Sequence, residues 1–287
     1  MEAQLIALLT SIWYAGALVA SRRGLDHSTP ATVTLVSIAV QNVSLWSAVF
    51  LSGGIPRVSP VALGLFCIVG VFQMGVRLFA YNGVLRIGAS RSGALQSISP
   101  LVSATIAVVA LRERPSGLVV IGTVLVVAGV ILVSWRAEKE LPTFRWWHLL
   151  LPVAAACLTG VNHPIRRYAL GLSNEPLFFS AFMGLISLSG FLVYLALSPG
   201  EQRLVWERKA LGPFLWTGIF ETLSIVFILT ALSIGEVTVI APIAASYPVW
   251  ALIGAKLFLR GVEKIRLRTA IGILSVVAGT IAIHLGK

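Results

Sequence analysis

Two charged side chains stand inside otherwise apolar runs, a setting in which charge is costly and carries a function by default. Arg77 closes the stretch Gln73-Met74-Gly75-Val76-Arg77, and Glu221 sits in Gly218-Ile219-Phe220-Glu221-Thr222. The two stretches belong to corresponding segments of an internal repeat. A local offset of 147 pairs Glu221 with Met74, so Arg77 falls about one helical turn from the position equivalent to Glu221. If these segments face each other, an acid and a base approach one central region from opposite walls. A zwitterionic amino acid carries a carboxylate and an ammonium, and this pair supplies a partner for each. The planar guanidinium can hold both carboxylate oxygens. Three other roles fit the same residues. They can close on each other as a structural ion pair, Arg77 can snorkel to the nearer interface, and Glu221 can be a proton-coupling carboxylate.

Uncharged and aromatic candidates surround these two. His163 lies well within an apolar run, in Val161-Asn162-His163-Pro164. Pro164 removes a helical hydrogen bond there and frees backbone groups for a ligand. Tyr14 lies at roughly the matching depth of the first repeat. Tyr81 follows Arg77 by one turn, Tyr247 and Trp250 flank Pro248, and Gln96 and Ser99 hold the equivalent place before Pro100. Asn42 shares a helix face with Trp46 at i, i+4 spacing. Aromatic walls with a few polar groups suit a small-molecule site. The candidate substrate-binding set is therefore Tyr14, Asn42, Arg77, Tyr81, Gln96, Ser99, Asn162, His163, Glu221, Tyr247 and Trp250. Core packing is the competing role for each aromatic, and a hydrogen-bonded structural role for His163.

Catalytic readings find less support. Gly88-Ala89-Ser90-Arg91-Ser92-Gly93 with His163 could suggest an intramembrane serine protease, but no sequence rule places His163 beside Ser90. Cys67 and Cys157 are isolated among apolar neighbours, with no CxxC or Cys/His cluster. No metal-ligand motif or GxxxxGK[ST] loop occurs, so no metal, no cofactor and no ATP-driven step is expected within the chain.

The elements that must position these residues follow from composition. Hydrophobic residues make up 57% of the chain and charged ones 11%, against about 25% charged in an ordinary soluble domain. Mean hydropathy is +0.92. A hydrocarbon core needs roughly 20 apolar residues per crossing helix, and backbone groups must be satisfied within the segment. Ten spans are predicted, at about 4–20, 31–51, 61–84, 89–111, 116–135, 147–168, 176–197, 212–233, 237–259 and 267–285. Ser52-Gly53-Gly54-Ile55-Pro56-Arg57 and Ser198-Pro199-Gly200-Glu201 separate spans, as breakers should. The first span lacks a basic region before it, with only Glu2 charged, and is expected to be a transmembrane helix rather than a signal peptide. Trp135, Trp146, Trp147, Trp206 and Trp216 lie near span ends, as an interfacial aromatic belt requires.

The chain then repeats itself. Leu85-Arg86-Ile87-Gly88, Ile98-Ser99-Pro100, Leu111-Arg112-Glu113-Arg114, Gly122 and Ala128-Gly129 return as Leu232-Ser233-Ile234-Gly235, Ser246-Tyr247-Pro248, Leu259-Arg260 with Glu263-Lys264, Gly272 and Ala278-Gly279. The expected domains are a first five-helix repeat (1–136), a linker (137–145) and a second repeat (146–287). Five spans per copy is an odd number, so the second copy enters the membrane inverted, the design of many secondary transporters with a central site. Helices are expected to bend near Pro100, Pro164 and Pro248. Gly122, Gly129, Gly272 and Gly279 allow close helix approach, so spans five and ten should scaffold the molecule or contact a partner.

These repeated patterns resemble EamA domains of the drug/metabolite transporter superfamily. The second copy departs from the pattern where Gly261-Val262 intervene before Glu263. The resemblance covers most of the chain and implies an all-α, ten-helix membrane carrier built as two inverted five-helix repeats around a central cavity. It implies export of small organic solutes by alternating access. Amino acids are the expected cargo, the YddG-type aromatic exporters being the group most resembled. Other metabolites, drugs or nucleotide sugars are the alternative cargo, and a structural membrane protein or intramembrane enzyme the alternative class.

A net charge of +11 would suggest nucleic acid in a soluble chain. Here the Lys and Arg are scattered through short loops, so lipid head groups explain them and no nucleic acid is expected. Loops after the odd-numbered spans carry Arg22, Arg23, Arg86, Arg136, Lys139, Arg145, Arg203, Arg208, Lys209, Arg260, Lys264 and Arg266, against Arg57, Arg112, Arg114, Arg166 and Arg167 in the others. The positive-inside rule then puts both termini outside the cytoplasm. The expected setting is the bacterial inner membrane, with a small-molecule substrate and the lipid bilayer as partners, and a monomer or weak homodimer as the assembly.

Overall fold

The computed structural model describes residues 2–87, 92, 95–134, 145–197, 204–258 and 267–286. All regular structure among them is helical. The first half holds α1 (Glu2–Leu25), α2 (Pro30–Leu51), α3 (Pro60–Ile87), α4 (Ser99–Ala110) and α5 (Gly117–Ser134). A 3-10 turn (Trp146–Leu149) leads into the second half: α6 (Leu150–Leu172), α7 (Pro176–Leu197), α8 (Arg208–Ile234), α9 (Val237–Ala244), α10 (Tyr247–Phe258) and α11 (Leu267–Leu285). Among the described residues, nine stretches are long and apolar enough to cross a membrane, one of them running through α9 and α10. α4 is a shorter apolar helix.

Proline and glycine set the boundaries. Pro30, Pro60 and Pro176 open their helices, where the missing N–H costs nothing. Thr29 caps α2 by accepting from the Thr32 N–H. After α2 the chain turns through Gly53 and Gly54, both at positive φ, which a side chain would resist. Only Gly235-Glu236 separates α8 from α9, the tight link expected there. The corresponding link near Gly88 lies outside the described residues, as do residues 137–144 of the linker and the loop with Gly261-Val262.

Two expected bends are breaks. The chain leaves the helix at Ala245-Ser246 and re-enters with Tyr247-Pro248, and does the same at Ser97-Ile98 before Ser99-Pro100. Each proline sits at the second position of a new helix, where it needs no donor and presets φ. Pro164, by contrast, remains inside a continuous α6.

The outside of the molecule is apolar. Val43, Val109 and Leu274 are 70%, 77% and 69% exposed, a surface that suits lipid and not water. Trp146, Trp206 and Trp216 are also exposed, and Arg86 stacks over the Trp147 ring at 5.7 Å. The interior mixes stacked aromatics, such as Phe66 on Phe179 with centroids 4.2 Å apart, with buried polar side chains.

The halves interlock as an inverted pair. α1 packs on α8 and α10, and its counterpart α6 packs on α3 and α4; α2 meets α8 as α7 meets α3. α5 and α11 pack on each other through their glycines. A Cβ on Gly122 would fall 2.6 Å from the Gly279 carbonyl oxygen, and one on Gly129 would fall 2.7 Å from that of Gly272. The pairing runs 122 with 279 and 129 with 272, so the two helices cross antiparallel about an axis that exchanges them.

Candidate functional site

The candidate site centres on α3. The Arg77 guanidinium reaches Glu221 of α8, with Nη1 2.9 Å from Oε2, and both side chains are buried. The contact is coulombic, since Glu221 Oε2 accepts no aligned hydrogen bond. Arg77 Nη1 also donates to Ser37 Oγ at 2.8 Å, and Nη2 to Gln41 Oε1 at 3.2 Å. Acid and base thus meet directly, and Arg77 does not snorkel. Ser37 and Gln41 belong to α2, four residues apart on one face, and hold the fork in the plane that meets Glu221. Neither was among the sequence candidates.

Asn42, the expected α2 contributor, points elsewhere. Its Nδ2 donates to the Ile38 carbonyl at 2.9 Å, and its amide packs beside Gly184 of α7. Tyr14 lies within electrostatic reach of Glu221 and Arg77. Its ring meets Tyr247 edge-on at 4.8 Å, joining α1 to the start of α10 at the helix break. Beside it, Ser246 and Ser11 approach at 3.3 Å, and Trp13 stacks on Phe220 at 5.8 Å with its buried Nε1 unpartnered. Trp250 is half-buried one turn beyond Tyr247. The Tyr81 side chain lies outside the described residues, as does Ser90.

A second polar group lies where α6 meets α3. Arg166 on α6 is buried, and its Nη2 donates to Gln73 Oε1 on α3 at 2.8 Å. Asn162, four residues earlier, is buried with both amide atoms unpartnered, and His163 Nδ1 and Arg166 Nε are unpartnered as well. Gln96 donates to Ser92 Oγ at 3.1 Å, and Ser99 opens α4 with its carbonyl against Gly160 of α6. The expected span layout makes Arg166 and Arg167 loop charges. Both lie in α6, which runs on to Leu172. Arg167 Nη1 donates to the Leu232 and Ser233 carbonyls at 2.9 and 2.8 Å, closing the C-terminus of α8.

The acid of the Leu111-Arg112-Glu113 stretch has a structural role. Glu113 accepts from the backbone N–H groups of Val237 and Thr238, both at 2.9 Å, and so caps α9 of the opposite half. Arg112, at φ 56, turns the chain so that Glu113 can reach. No cluster that could hold a metal ion occurs among the described residues.

The model of the EamA-like transporter family matches residues 1–135 and again 145–285. The chain belongs to this family. EamA-like proteins are transporters of small solutes in the drug/metabolite transporter superfamily, and the chain is a multi-pass membrane protein of that kind. A solved structure, titled only as a crystal structure of a protein, is similar in fold, with a TM-score of 0.82 at 15% identity over 99% of this chain and 96% of that one. No curated protein matches the chain.

Proposed function

We propose that this EamA-like transporter exports small organic zwitterions, amino acids including aromatic ones, by alternating access across the bacterial inner membrane, without itself catalysing a reaction. The observation that carries the reading is the buried Arg77–Glu221 pair where α2, α3 and α8 meet. Such a pair is stable closed, since each charge neutralises the other. It also matches, group for group, the carboxylate and ammonium of a substrate that would part it. The tyrosines beside it offer amphipathic walls for an aromatic side chain. The breaks before Tyr247 and Ser99 leave backbone groups outside the helical ladder at the point where α1 and α6 pass, as in transporters with discontinuous helices.

Counterflow tests this directly. Full-length protein in liposomes preloaded with unlabelled amino acid should accumulate the labelled form for at least one member of an amino-acid panel. Uptake equal to empty liposomes for every amino acid would overturn the cargo assignment, and uptake of other metabolites in the same assay would replace it.

A further inference from the structure

We propose that Arg166, Asn162 and Gln73 form a receptor for an organic carboxylate, separate from the Arg77–Glu221 pair and one turn along α3 from it. The proposal rests on the carrier reading for its purpose but not for its chemistry. Arg166 is buried, and among the described residues no carboxylate pairs with it; its one hydrogen-bond partner is the neutral amide of Gln73. Its Nε is buried and unpartnered. A guanidinium inside a membrane protein ordinarily faces a counter-charge or a water-filled cavity.

The neighbours point the same way. Asn162 is buried with both amide atoms unpartnered, whereas most buried polar side chains have a partner. Asn162 and Arg166 are four residues apart on α6 and share a face. The bond from Nη2 to Gln73 fixes the fork and leaves Nε free to donate. A carboxylate fits this set: its two oxygens match the fork, and the Asn162 Nδ2 supplies a further donor. At the symmetry-equivalent junction, α1 and α8 meet through Trp13 on Phe220 instead. The asymmetry gives a solute a polar end and an aromatic end. Gln73 and Arg77 are four residues apart on α3, so about 6 Å separates their levels. The carboxylate receptor at Arg166 is therefore a second station, one turn along α3 from the one that the Arg77–Glu221 pair offers.

The binding chemistry can be read without transport. The melting temperature of the full-length protein in detergent should rise saturably with sodium acetate, and not with acetamide or with sodium chloride at matched ionic strength. Arg166→Gln should raise the half-saturating acetate concentration roughly tenfold or more, the loss of a charged hydrogen-bonding partner. Arg166→Lys, which keeps the charge and loses the fork, should fall between, and Asn162→Ala should weaken binding while the fold persists. The proposal is overturned if wild type shows no acetate response, if chloride acts equally, or if Arg166→Gln and Asn162→Ala respond unchanged. An acetate response in a protein that moves no amino acid would sink the cargo assignment alone.

Discussion

At the residue scale, the two intramembrane charges were legible because nothing else in their apolar stretches resembles them. What surrounds them was not. Gln41 and Asn42 are adjacent polar residues in an apolar helix, and the choice between them depends on helix phase, which a sequence window does not fix. The structure turns Gln41 to Arg77 and Asn42 back onto its own helix beside α7. Gln41→Ala should therefore lower counterflow several-fold, whereas Asn42→Ala should change it little; equal effects would mean that Gln41 does not position Arg77. Arg166 was missed for a different reason. Two arginines in succession near the end of a predicted span read as a loop, yet on a helix they point about 100° apart. One is buried against α3 and the other closes α8.

At the scale of elements, length and hydropathy placed the helices well, and Gly and Pro marked most of their ends. The two breaks at Ser97-Ile98 and Ala245-Ser246 were not visible, because both residue pairs are compatible with a helix and only the following proline hints at a restart. The glycines of α5 and α11 announced close approach but not their partner, which is each other. That interface makes a stability prediction. Gly122→Ala puts a methyl into the Gly279 carbonyl and Ile283 and should cost about 1–3 kcal/mol as an overpacked contact. Gly64→Ala on α3, with open space around the new methyl, should instead be neutral or gain up to about 1 kcal/mol from helix propensity. Thermal melts of both variants beside wild type check this. A Gly122→Ala melt at or above that of Gly64→Ala would refute the packed glycine seam.

For the whole molecule, the duplication carried most of the architecture. Five spans per copy force opposite entry of the halves, and an inverted pair must exchange its contacts, as α1 on α8 and α6 on α3 do. Glu113 reaching across to α9 ties the first half to a helix end of the second. Glu263, its counterpart, lies outside the described residues. Arg77 and Glu221 break the symmetry, with no charged counterpart in the other copy; the repeat offset brings them to one region, and packing makes them a pair.

On the proposed function, the Arg77–Glu221 pair handles substrate and is more than a staple between α3 and α8. Removing one partner alone confounds the two roles, because an uncompensated buried charge costs about 3–5 kcal/mol. The deciding measurement is counterflow of a transported amino acid by the Arg77→Gln/Glu221→Gln double variant, with its melting temperature recorded beside wild type and Glu221→Gln. The double variant should melt near wild type, the charge imbalance being gone, and its transport should fall by roughly tenfold or more with both ionic partners of the zwitterion removed. A double variant that folds and transports at the wild-type rate would contradict the account and leave Arg77 and Glu221 a structural ion pair.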